Sequence, residues 1–291
     1  RKIEISFEMN PEDVNSNYLT ELYEIGINRI SLGGQSFQSK TLKILGRSHS
    51  NKKLRDSIKI IKNSPIKNWN LDLIFGVPEQ SVISFEKDVE EAVLYEPSHI
   101  SLYGLEINEK TPFGKNLKFK EWYLRHHNRY CEMYYWGIKY LEKSGIFQYE
   151  VSNFSKKGKE GRNNLLVWSG SEYLGFGVGA HSFFGGIRWS NKRSIKTYVN
   201  DLYQKKWPVD FEEKLSNRMI ATEILYLNLR NSKGLNIEHW QNCFGFELQK
   251  TQIDFICRLC ELGYAFWQKQ NLCLSSKGFL IVDSITVELM P

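Results

Sequence analysis

Ile30-Ser-Leu-Gly-Gly-Gln-Ser-Phe37 is the stretch of sequence that decides the fold. Its apolar residues are typical of a strand buried in a parallel sheet, and the glycine pair indicates that this strand opens into a loop. Ligands of α/β proteins bind at the carboxyl ends of such strands. Gln35 stands at this strand end and Arg47 follows one short predicted helix later, so the pair can hydrogen-bond a polar ligand and bind its carboxylate. The alternative is a glycine-softened strand end beside an ordinary surface arginine.

Three further stretches of the amino-terminal part share this design. Each is a mostly apolar run that carries acidic or hydroxyl side chains, namely 3–8 with Glu8, 70–75 with Asp72, and 99–105 with Tyr103 and, just after it, Glu106. A charged side chain in an otherwise buried strand is costly unless it is paired or bound to a ligand. Glu8 and Asp72 are therefore the residues that a purely structural role explains least well.

Helical patterns with one apolar face separate the four strands; the first begins at Asn10-Pro11 and the third is ended by Pro65. Strands that alternate with helices predict a parallel sheet with right-handed crossovers, so the expected fold class is α/β. Four units are too few to close a barrel. Two more such units before Arg1 would give a partial (β/α)6 barrel of the triosephosphate isomerase (TIM) type, and the runner-up is a doubly wound sheet.

The chain starts in strand pattern at Arg1, without a methionine, and we therefore expect a fragment that lacks its first two βα units. On this basis residues 1–115 are predicted to form the third to the sixth unit of the partial barrel. Residues 116–210 are predicted to be an extension packed on it, with a long aromatic helix at 119–144, a strand at 148–154, and a strand at 173–181 that has glycines at alternate positions and ends in His181. Glycines on one face of a strand let a flat ligand or another backbone approach closely.

From residue 211 the pattern changes to helices, at 215–229, 237–244 and 250–262, followed by a hairpin and a final helix. This order predicts a mostly helical, winged-helix-like carboxyl-terminal domain over residues 211–291. Such domains often bind DNA, and the chain has a net charge of +6. Residues 211–291, however, hold 8 Lys and Arg against 9 Asp and Glu, which argues against a nucleic-acid partner. We expect a packing or lid module.

The five cysteines are an odd number without regular spacing, as expected of a reducing compartment. Cys257 and Cys260 have the spacing of a metal-binding or redox pair, but they lie in a helical pattern without a second pair, which favours buried helix cysteines. The chain has no charged-then-apolar leader and no apolar run long enough to span a bilayer. These observations predict a cytoplasmic protein without a transmembrane segment.

Five motifs follow one another along nearly the whole chain: Glu-x-Asn-Pro from Glu8, Arg-Ile-Ser-Leu-Gly-x-Gln-Ser-Phe from Arg29, Leu-Gly-Arg-x-His from Leu45, Asn-Leu-Asp-Leu-Ile-x-Gly-x-Pro from Asn70, and Tyr-Leu-Gly-x-Gly-x-Gly-Ala-His from Tyr173. Together they resemble the oxygen-independent coproporphyrinogen III oxidase-like family of radical SAM proteins, in particular its haem chaperone branch, HemW. The resemblance implies a partial TIM-type barrel with a carboxyl-terminal accessory domain. It also implies contacts to S-adenosylmethionine at Glu8, Gln35, Arg47, Asp72, Tyr103, Glu106 and His181. Acids for the ammonium and ribose groups and an arginine for the carboxylate suit this zwitterionic ligand.

A 4Fe-4S cluster, held by a Cys-x3-Cys-x2-Cys loop, is a further implication of the resemblance. That spacing does not occur in this sequence, so no residue of the chain is assigned to metal, and we expect the cluster ligands upstream of Arg1. The haem chaperone branch carries His-Asn-x-x-Tyr-Trp, and the aligned residues here are Asn163, Asn164, Val167 and Trp168. Because an amide is a poor axial ligand for haem iron, His181 or His126 is the candidate replacement.

Two functions are implied by the resemblance. The first is a haem-binding chaperone of porphyrin metabolism that also binds S-adenosylmethionine, with haem or porphyrinogen as ligand and a haem-acceptor protein as partner. The second is an enzyme, an oxygen-independent coproporphyrinogen III oxidase that decarboxylates its substrate by a radical mechanism. The first is favoured because residues 103–114 and 149–181 resemble the chaperone branch more closely, although the altered haem motif favours the second. A nucleic-acid-binding protein is the third alternative, and the charge distribution argues against it.

Overall fold

The computed structural model describes residues 3–108 and 113–291, without the side chains of residues 117, 120, 123, 124 and 127. It divides into two compact units, Arg1–Gly161 and Arg162–Pro291. The division into three segments at residues 115 and 210 stays a prediction. Within the described ranges, no helix combines the length and the apolar composition needed to cross a membrane.

The first unit alternates strands and helices over its amino-terminal two thirds. In chain order its elements are β1 (Ser6–Met9), a 3-10 turn (Pro11–Asp13), α1 (Ser16–Glu24), β2 (Arg29–Gln35), α2 (Ser39–Ile44), α3 (Asn51–Asn63), β3 (Asn68–Phe75), α4 (Val82–Leu94), β4 (His99–Gly104), α5 (Leu117–Arg125), α6 (His127–Lys143), β5 (Phe147–Gln148) and β6 (Asn153–Ser155).

The second unit is mostly helical, with short strands between the helices. Its elements are α7 (Arg162–Trp168), β7 (His181–Phe184), β8 (Ile187–Asn191), α8 (Ile195–Tyr203), β9 (Val209–Lys214), α9 (Asn217–Leu229), β10 (Leu235–Asn236), α10 (Ile237–Phe244), α11 (Lys250–Glu261), β11 (Ala265–Gln268), β12 (Asn271–Leu274), α12 (Ser276–Leu280) and α13 (Val282–Leu289).

A six-stranded sheet with the strand order β1-β2-β3-β4-β6-β5 forms the centre of the first unit. The strands β1 to β4 are parallel neighbours, and β4 pairs antiparallel with β6. Each parallel pair is joined through at least one helix, as parallel neighbours require. The predicted α/β class with four parallel βα units is confirmed.

The two faces of this sheet differ in polarity because successive side chains of a strand point to opposite faces. One face is apolar, and its central side chains are at most 1% exposed: Ile30, Leu32, Leu71, Leu73, Ile100 and Leu102. The residues that alternate with them are polar: Ser31, Asn70, Asp72, His99 and Ser101. The helices pack on the apolar face; the Leu102 side chain, for example, lies directly under Gly137 of α6.

The helices of the βα units begin and pack as their sequences predict, with two exceptions. The hydroxyls of Ser50 and Ser81 cap α3 and α4 by accepting hydrogen bonds from the third residue of each helix, both at 3.1 Å. The predicted apolar face of α3, Leu54, Ile58 and Ile61, is completely buried. On α4, Phe85, Val89 and Ala92 are completely buried as predicted, whereas Val93, predicted with them, is only half-buried. The other exception is Asn10-Pro11, which starts only a 3-10 turn, because α1 begins at Ser16 with Asn15 as its cap.

Two predictions for the segment after β4 are wrong. The aromatic helix expected at 119–144 is interrupted at His126, between α5 and α6. The Trp122 carbonyl oxygen there lies 2.7 Å from the His126 ring Nδ1 and also accepts the His126 amide at 3.1 Å, so it is shared between the side chain and the backbone. The strand expected at 148–154 is a hairpin of the short strands β5 and β6. The Glu150 carboxylate accepts a hydrogen bond from the Ser152 amide at 3.1 Å inside that turn, which ends the ladder there.

The second unit contains a three-stranded antiparallel sheet, β7-β8-β9, in front of which the chain makes a glycine-rich loop. The prediction of a strand that ends at His181 is wrong, because His181 begins β7 and most of the preceding residues form the loop. Gly177 and Gly179 have φ values of +97° and +68°, in the left-handed region that favours glycine. A Cβ at Gly175 would lie 2.1 Å from the His181 carbonyl oxygen, so this glycine is required by close backbone contact.

The helices α9, α10 and α11 and the sheet β10-β12-β11 form the winged-helix-like arrangement that was predicted for the carboxyl-terminal part. Trp240 on α10 ties two of these helices together, since its Nε1 donates a hydrogen bond to the Ala221 carbonyl oxygen at 2.9 Å. The two cysteines of α11 differ from expectation: Cys257 is exposed and Cys260 is half-buried. Cys257 lies on the outer side of the helix, where the apolar pattern does not reach.

Candidate ligand-binding site at the strand ends

Polar side chains from neighbouring strands stand side by side on one face of the six-stranded sheet. The strand register places them in two rows, Glu8, Ser31, Asn70 and His99 in the first, and Asp72, Ser101 and Asn153 in the second. The second row is closer to the carboxyl ends of β3 and β4. Because paired residues share a face, the sheet presents a continuous polar surface that leads to these strand ends.

A cavity of about 320 Å³ lies at the carboxyl ends of β1, β2 and β3, and we call it the strand-end cavity. It is lined by Glu8, Met9, Asn10, Ser31, Gly33, Gln35 and Asp72. Glu8, Gln35 and Asp72, which the sequence suggested for one ligand, therefore come from three different strands and meet at one opening. This is the arrangement by which α/β proteins hold ligands.

Asp72 is the deepest acid of the strand-end cavity. Its Oδ1 accepts a hydrogen bond from Asn70 Nδ2 at 2.7 Å, and its Oδ2 accepts one from Ser31 Oγ at 3.2 Å. Burial raises the pKa of Asp72, the hydrogen bonds from Ser101, Asn70 and Ser31 oppose that rise, and the negative charge of Glu8 adds to it. A ligand that brings positive charge or hydroxyl donors would relieve this cost of the ionised carboxylate.

Gln35 is held in a conformation that its residue type rarely adopts. Its φ is +64°, and its side chain is buried. Gly33 makes room for it, because a Cβ on Gly33 would lie 3.0 Å from Gln35 Nε2. At Gly34 a Cβ would lie 2.7 Å from Leu71 Cδ1, so the glycine pair is required both for the cavity and for the packing beneath it. Backbone strain of this kind at a strand end is typical of ligand sites.

Asp88 anchors the loop that follows Gln35, and sequence reasoning missed it. Its Oδ2 accepts a hydrogen bond from Ser36 Oγ at 2.6 Å, and its Oδ1 accepts one from the Phe37 amide at 2.8 Å. Burial raises the pKa of Asp88 to about 6 although these bonds favour the carboxylate. The sequence does contain a signal for this role: Asp88 is an acid that lies beside Phe85 and Val89 on the apolar face of a predicted helix.

A buried hydrogen-bonded chain behind Asp72 was also missed. His99 Nδ1 lies 2.6 Å from Asn70 Oδ1, and His99 Nε2 lies 2.8 Å from the Tyr149 hydroxyl. That hydroxyl also accepts a hydrogen bond from the Gly161 amide at 3.3 Å. Burial lowers the pKa of His99 well below its usual value, and the charge of Arg29 lowers it further. In the sequence, polar residues at alternate positions of β3 and β4 are the signal that indicates this hydrogen-bonded network.

The other predicted residues of the first unit are not among the described residues that line the strand-end cavity. Tyr103 lies next to the cavity, and partial burial raises its pKa to about 12. The negative charges of Asp72, Glu150 and Glu8 add to this rise, and a hydrogen bond with Ser101 opposes it. Its ring remains 41% exposed. Arg47 and Glu106 are exposed, the first after α2 and the second after β4.

The remaining predicted residues belong to the second unit. Asn163, Asn164 and Trp168 are on α7, and His181 is the exposed first residue of β7. A cavity of about 240 Å³ lies between α7, β7, β8 and α9 and is lined mainly by apolar residues that include Val167, Tyr173, Phe183 and Leu227. Its charged members, Arg188 and Glu223, form an ion pair with each other.

The donor set of the first unit fits a small zwitterion and does not fit an iron-sulfur cluster. Two acids, Glu8 and Asp72, and two amides, Asn10 and Gln35, line the cavity, which suits a ligand with ammonium and hydroxyl groups. In the described part of the chain, no three His, Cys, Asp or Glu side chains are grouped to hold a metal ion. All five cysteines stand at position 131 and beyond, so the described residues that line the strand-end cavity include no thiolate for a cluster.

Comparison with known proteins gives consistent results. The profile of the Radical SAM superfamily matches residues 1–92. Two curated relatives named Heme chaperone HemW, from Bacillus subtilis and Lactococcus lactis, are each 30% identical over 282 residues, which is 97% of this chain and 74% of theirs. The solved structure of coproporphyrinogen III oxidase (HemN) from Escherichia coli, a radical SAM enzyme, superposes with a TM-score of 0.81 over 99% of this chain and 69% of that one, at 18% identity.

The structural likeness shows that the α/β fold is the radical SAM fold, as the sequence predicted. Membership of this superfamily implies S-adenosylmethionine and a 4Fe-4S cluster as cofactors. The relatives also decide between the two branches considered, because the matches at 30% identity over 97% of this chain carry the HemW name. The chain therefore belongs to the HemW family of radical SAM proteins.

Proposed function

We propose that the strand-end cavity binds S-adenosylmethionine. The observation that carries this proposal is the meeting of Glu8, Gln35 and Asp72, from three parallel strands, at one cavity of about 320 Å³. Acidic side chains accept hydrogen bonds from the ammonium and ribose hydroxyls of such a ligand, and the Gln35 amide can both donate and accept. When bound, S-adenosylmethionine supplies sulfonium chemistry that radical SAM proteins use to form a carbon radical.

The chain's own residues then bind and orient this ligand. Asp72, held by Asn70 and Ser31, offers a fixed acceptor at the bottom of the cavity, and Glu8 offers a second, exposed one at its rim. Tyr103, Arg47 and Glu106 complete the proposed set in this unit, with Arg47 as the partner of the ligand carboxylate.

Calorimetric titration of S-adenosylmethionine into the 291-residue chain tests the site. Each of Glu8→Gln and Asp72→Asn should weaken binding by about tenfold or more, because each removes a charge-assisted hydrogen bond of about 1.5–3 kcal/mol. Glu24→Gln, an acid on the exposed surface of α1, is the matched control and should bind as the wild type does. Equal affinities for all four proteins would contradict the proposal.

We also propose the function of a haem chaperone, which the HemW name of the relatives supports. The ligands are proposed in the second unit, at His181 and on α7 at Asn163, Asn164 and Trp168. A haem-acceptor protein as partner and a cytoplasmic location belong to the same proposal and stay predictions.

Titration of haem into the chain, followed by the Soret band, tests this function. Equimolar haem should shift the band in the wild type, and His181→Ala should abolish the shift, whereas His239→Ala on the exposed side of α10 should not. A shift that survives His181→Ala would remove His181 as the ligand. The absence of a shift, together with decarboxylated product from coproporphyrinogen, would favour the alternative, an oxygen-independent coproporphyrinogen III oxidase.

A further inference from the structure

The buried chain from Gly161 to Asp72 has one assignment of hydrogens that satisfies its central members. The Asn70 carbonyl oxygen can only accept, so the His99 ring must carry its proton on Nδ1 and donate it across the 2.6 Å contact. His99 Nε2 is then an acceptor, and the Tyr149 hydroxyl donates to it at 2.8 Å. The oxygen of that hydroxyl accepts a hydrogen bond from the Gly161 amide. A neutral ring agrees with the complete burial of His99.

This assignment fixes the direction in which the Asn70 amide points. With its oxygen held by His99, its Nδ2 faces Asp72 Oδ1 and Ser31 Oγ, both at 2.7 Å, and Ser101 Oγ at 3.1 Å. If the amide rotated by half a turn, its oxygen would face the Asp72 carboxylate. Two acceptors in contact without a hydrogen between them repel each other, and the carboxylate would protonate or turn away.

We propose that His99, supported by Tyr149, is the positioning residue of the strand-end cavity: it fixes the amide of Asn70, which donates to the Asp72 carboxylate, favours its ionised form and keeps it aimed at the ligand. The inference rests on the proposed binding of S-adenosylmethionine, although its structural part can be measured without that ligand. His99 acts through Asn70 and is not among the described residues that line the cavity.

Three other titratable groups of the described residues act on Asp72 and His99 in this hydrogen-bonded network. Glu8 and Tyr103 influence Asp72 from β1 and β4, and Arg29 influences His99 from β2. Each of them is present in every variant considered below. A change in the titration of Asp72 can therefore be attributed to the altered residue.

A matched pair of substitutions at position 99 separates hydrogen bonding from packing. Asn and Leu have nearly the same shape, and both leave part of the ring volume empty. His99→Asn keeps a donor at the position of Nδ1, whereas His99→Leu removes it. The carboxyl carbon of Asp72, assigned by its loss in Asp72→Asn, is followed by carbon NMR as the pH is varied in the full chain.

The titration midpoint of Asp72 should be similar in wild type and His99→Asn and higher by about one pH unit in His99→Leu. Nitrogen NMR of the wild-type His99 ring should show the proton on Nδ1 throughout the range of about pH 5–8. Equal Asp72 midpoints in the Asn and Leu variants, or a His99 ring protonated on Nε2, would overturn the inference.

Binding of S-adenosylmethionine, measured by calorimetry at about pH 6 and pH 8, gives the functional readout. His99→Leu should bind about tenfold more weakly than His99→Asn, with the larger loss at the lower pH, where more of its Asp72 is protonated. If the wild type binds but the Leu and Asn variants bind equally at both values, the inference fails and the proposed function stands. If the wild type does not bind, the proposed function fails and the NMR midpoints still decide whether His99 positions Asp72.

Discussion

The substitution Glu150→Gln is expected to stabilise the first unit at neutral and alkaline pH. Glu150 is completely buried in the turn between β5 and β6, and its Oε2 has no hydrogen-bond partner among the described atoms. Burial raises the pKa of Glu150 to about 7 from its ordinary 4.5, although hydrogen bonds from Ser152 and Asn153 lower it. The ionised form of this side chain is therefore disfavoured in the folded state.

The size and the sign of the effect follow from that difference. Below the unfolded value of 4.5 both states hold the proton, and Glu150 contributes no pH dependence. As the pH rises toward 7 the unfolded chain ionises first, so the folded state loses stability until Glu150 also ionises. A difference of about 2.5 units corresponds to about 3 kcal/mol, at about 1.36 kcal/mol per unit. Glutamine cannot ionise, and its Nε2 can donate to the neighbouring Asn153, whose Oδ1 also lacks a partner among the described atoms.

Urea unfolding between about pH 4 and pH 8 measures this effect, with amide exchange of β3 and β4 as a probe of the first unit. The free energy of unfolding of Glu150→Gln, relative to wild type, should rise by about 3 kcal/mol across this range. Glu150→Met, uncharged and of similar length, is the control. Its free energy of unfolding relative to wild type should rise with pH by the same amount, because methionine also lacks the charge. The whole curve should be displaced by a constant, because methionine cannot make the hydrogen bonds. A difference that stays flat over this range would refute the assignment of a raised pKa to Glu150.

Four other substitutions test the construction of the strand-end cavity. Gly34→Ala should destabilise the first unit by about 1–3 kcal/mol in urea unfolding, because the added Cβ would lie 2.7 Å from Leu71. Gly33→Ala should cost less stability, since the nearest atom to its added Cβ is the flexible end of the Gln35 side chain. Equal losses in the two variants would contradict this difference. Gln35→Gly should leave the free energy of unfolding unchanged or raise it by up to about 1 kcal/mol, because it relieves a left-handed φ at the cost of more chain entropy. Calorimetry should show weaker binding of S-adenosylmethionine to this variant. A large loss of stability would show that the conformation of Gln35 is not strained. Asp88→Leu should destabilise by about 1–3 kcal/mol, because it leaves the Phe37 amide without its acceptor; unfolding data that match wild type would mean that this loop does not depend on Asp88.

The sequence predicts the four parallel βα units, up to β4, well because their signals are local. Period-two alternation around Ile30 and Leu32, and the apolar faces of α3 and α4, are properties of short segments that the tertiary structure leaves intact. The same holds for the acids at strand ends, because Glu8 and Asp72 interrupt apolar runs that are visible in the sequence itself. Their meeting with Gln35 at one cavity follows from the parallel arrangement alone.

The wrong predictions arise where a side chain competes with the regular backbone pattern. At the break between α5 and α6, the His126 ring shares the Trp122 carbonyl oxygen with the His126 amide, and between β5 and β6 the Glu150 carboxylate accepts the Ser152 amide inside the turn. The glycines before His181 have the spacing of a strand, but their left-handed φ values form a loop. None of these interactions is visible in the periodicity, because each depends on where one polar side chain finds its partner.

The strand-end cavity depends on polar groups that stabilise one another only as a set. A sheet whose inner face carries Ser31, Asn70, Asp72, His99 and Ser101 would be unstable if these groups were unpaired, since each buried donor or acceptor costs about 1–3 kcal/mol when left alone. The hydrogen-bonded chain satisfies them from behind and leaves the outward side of Asp72 available to a ligand. The network that makes this face stable is therefore also the one that fixes the direction of the binding carboxylate, so a substitution that removes the hydrogen-bond donor of His99 or Asn70, such as His99→Leu, should disturb ligand binding even where the fold survives.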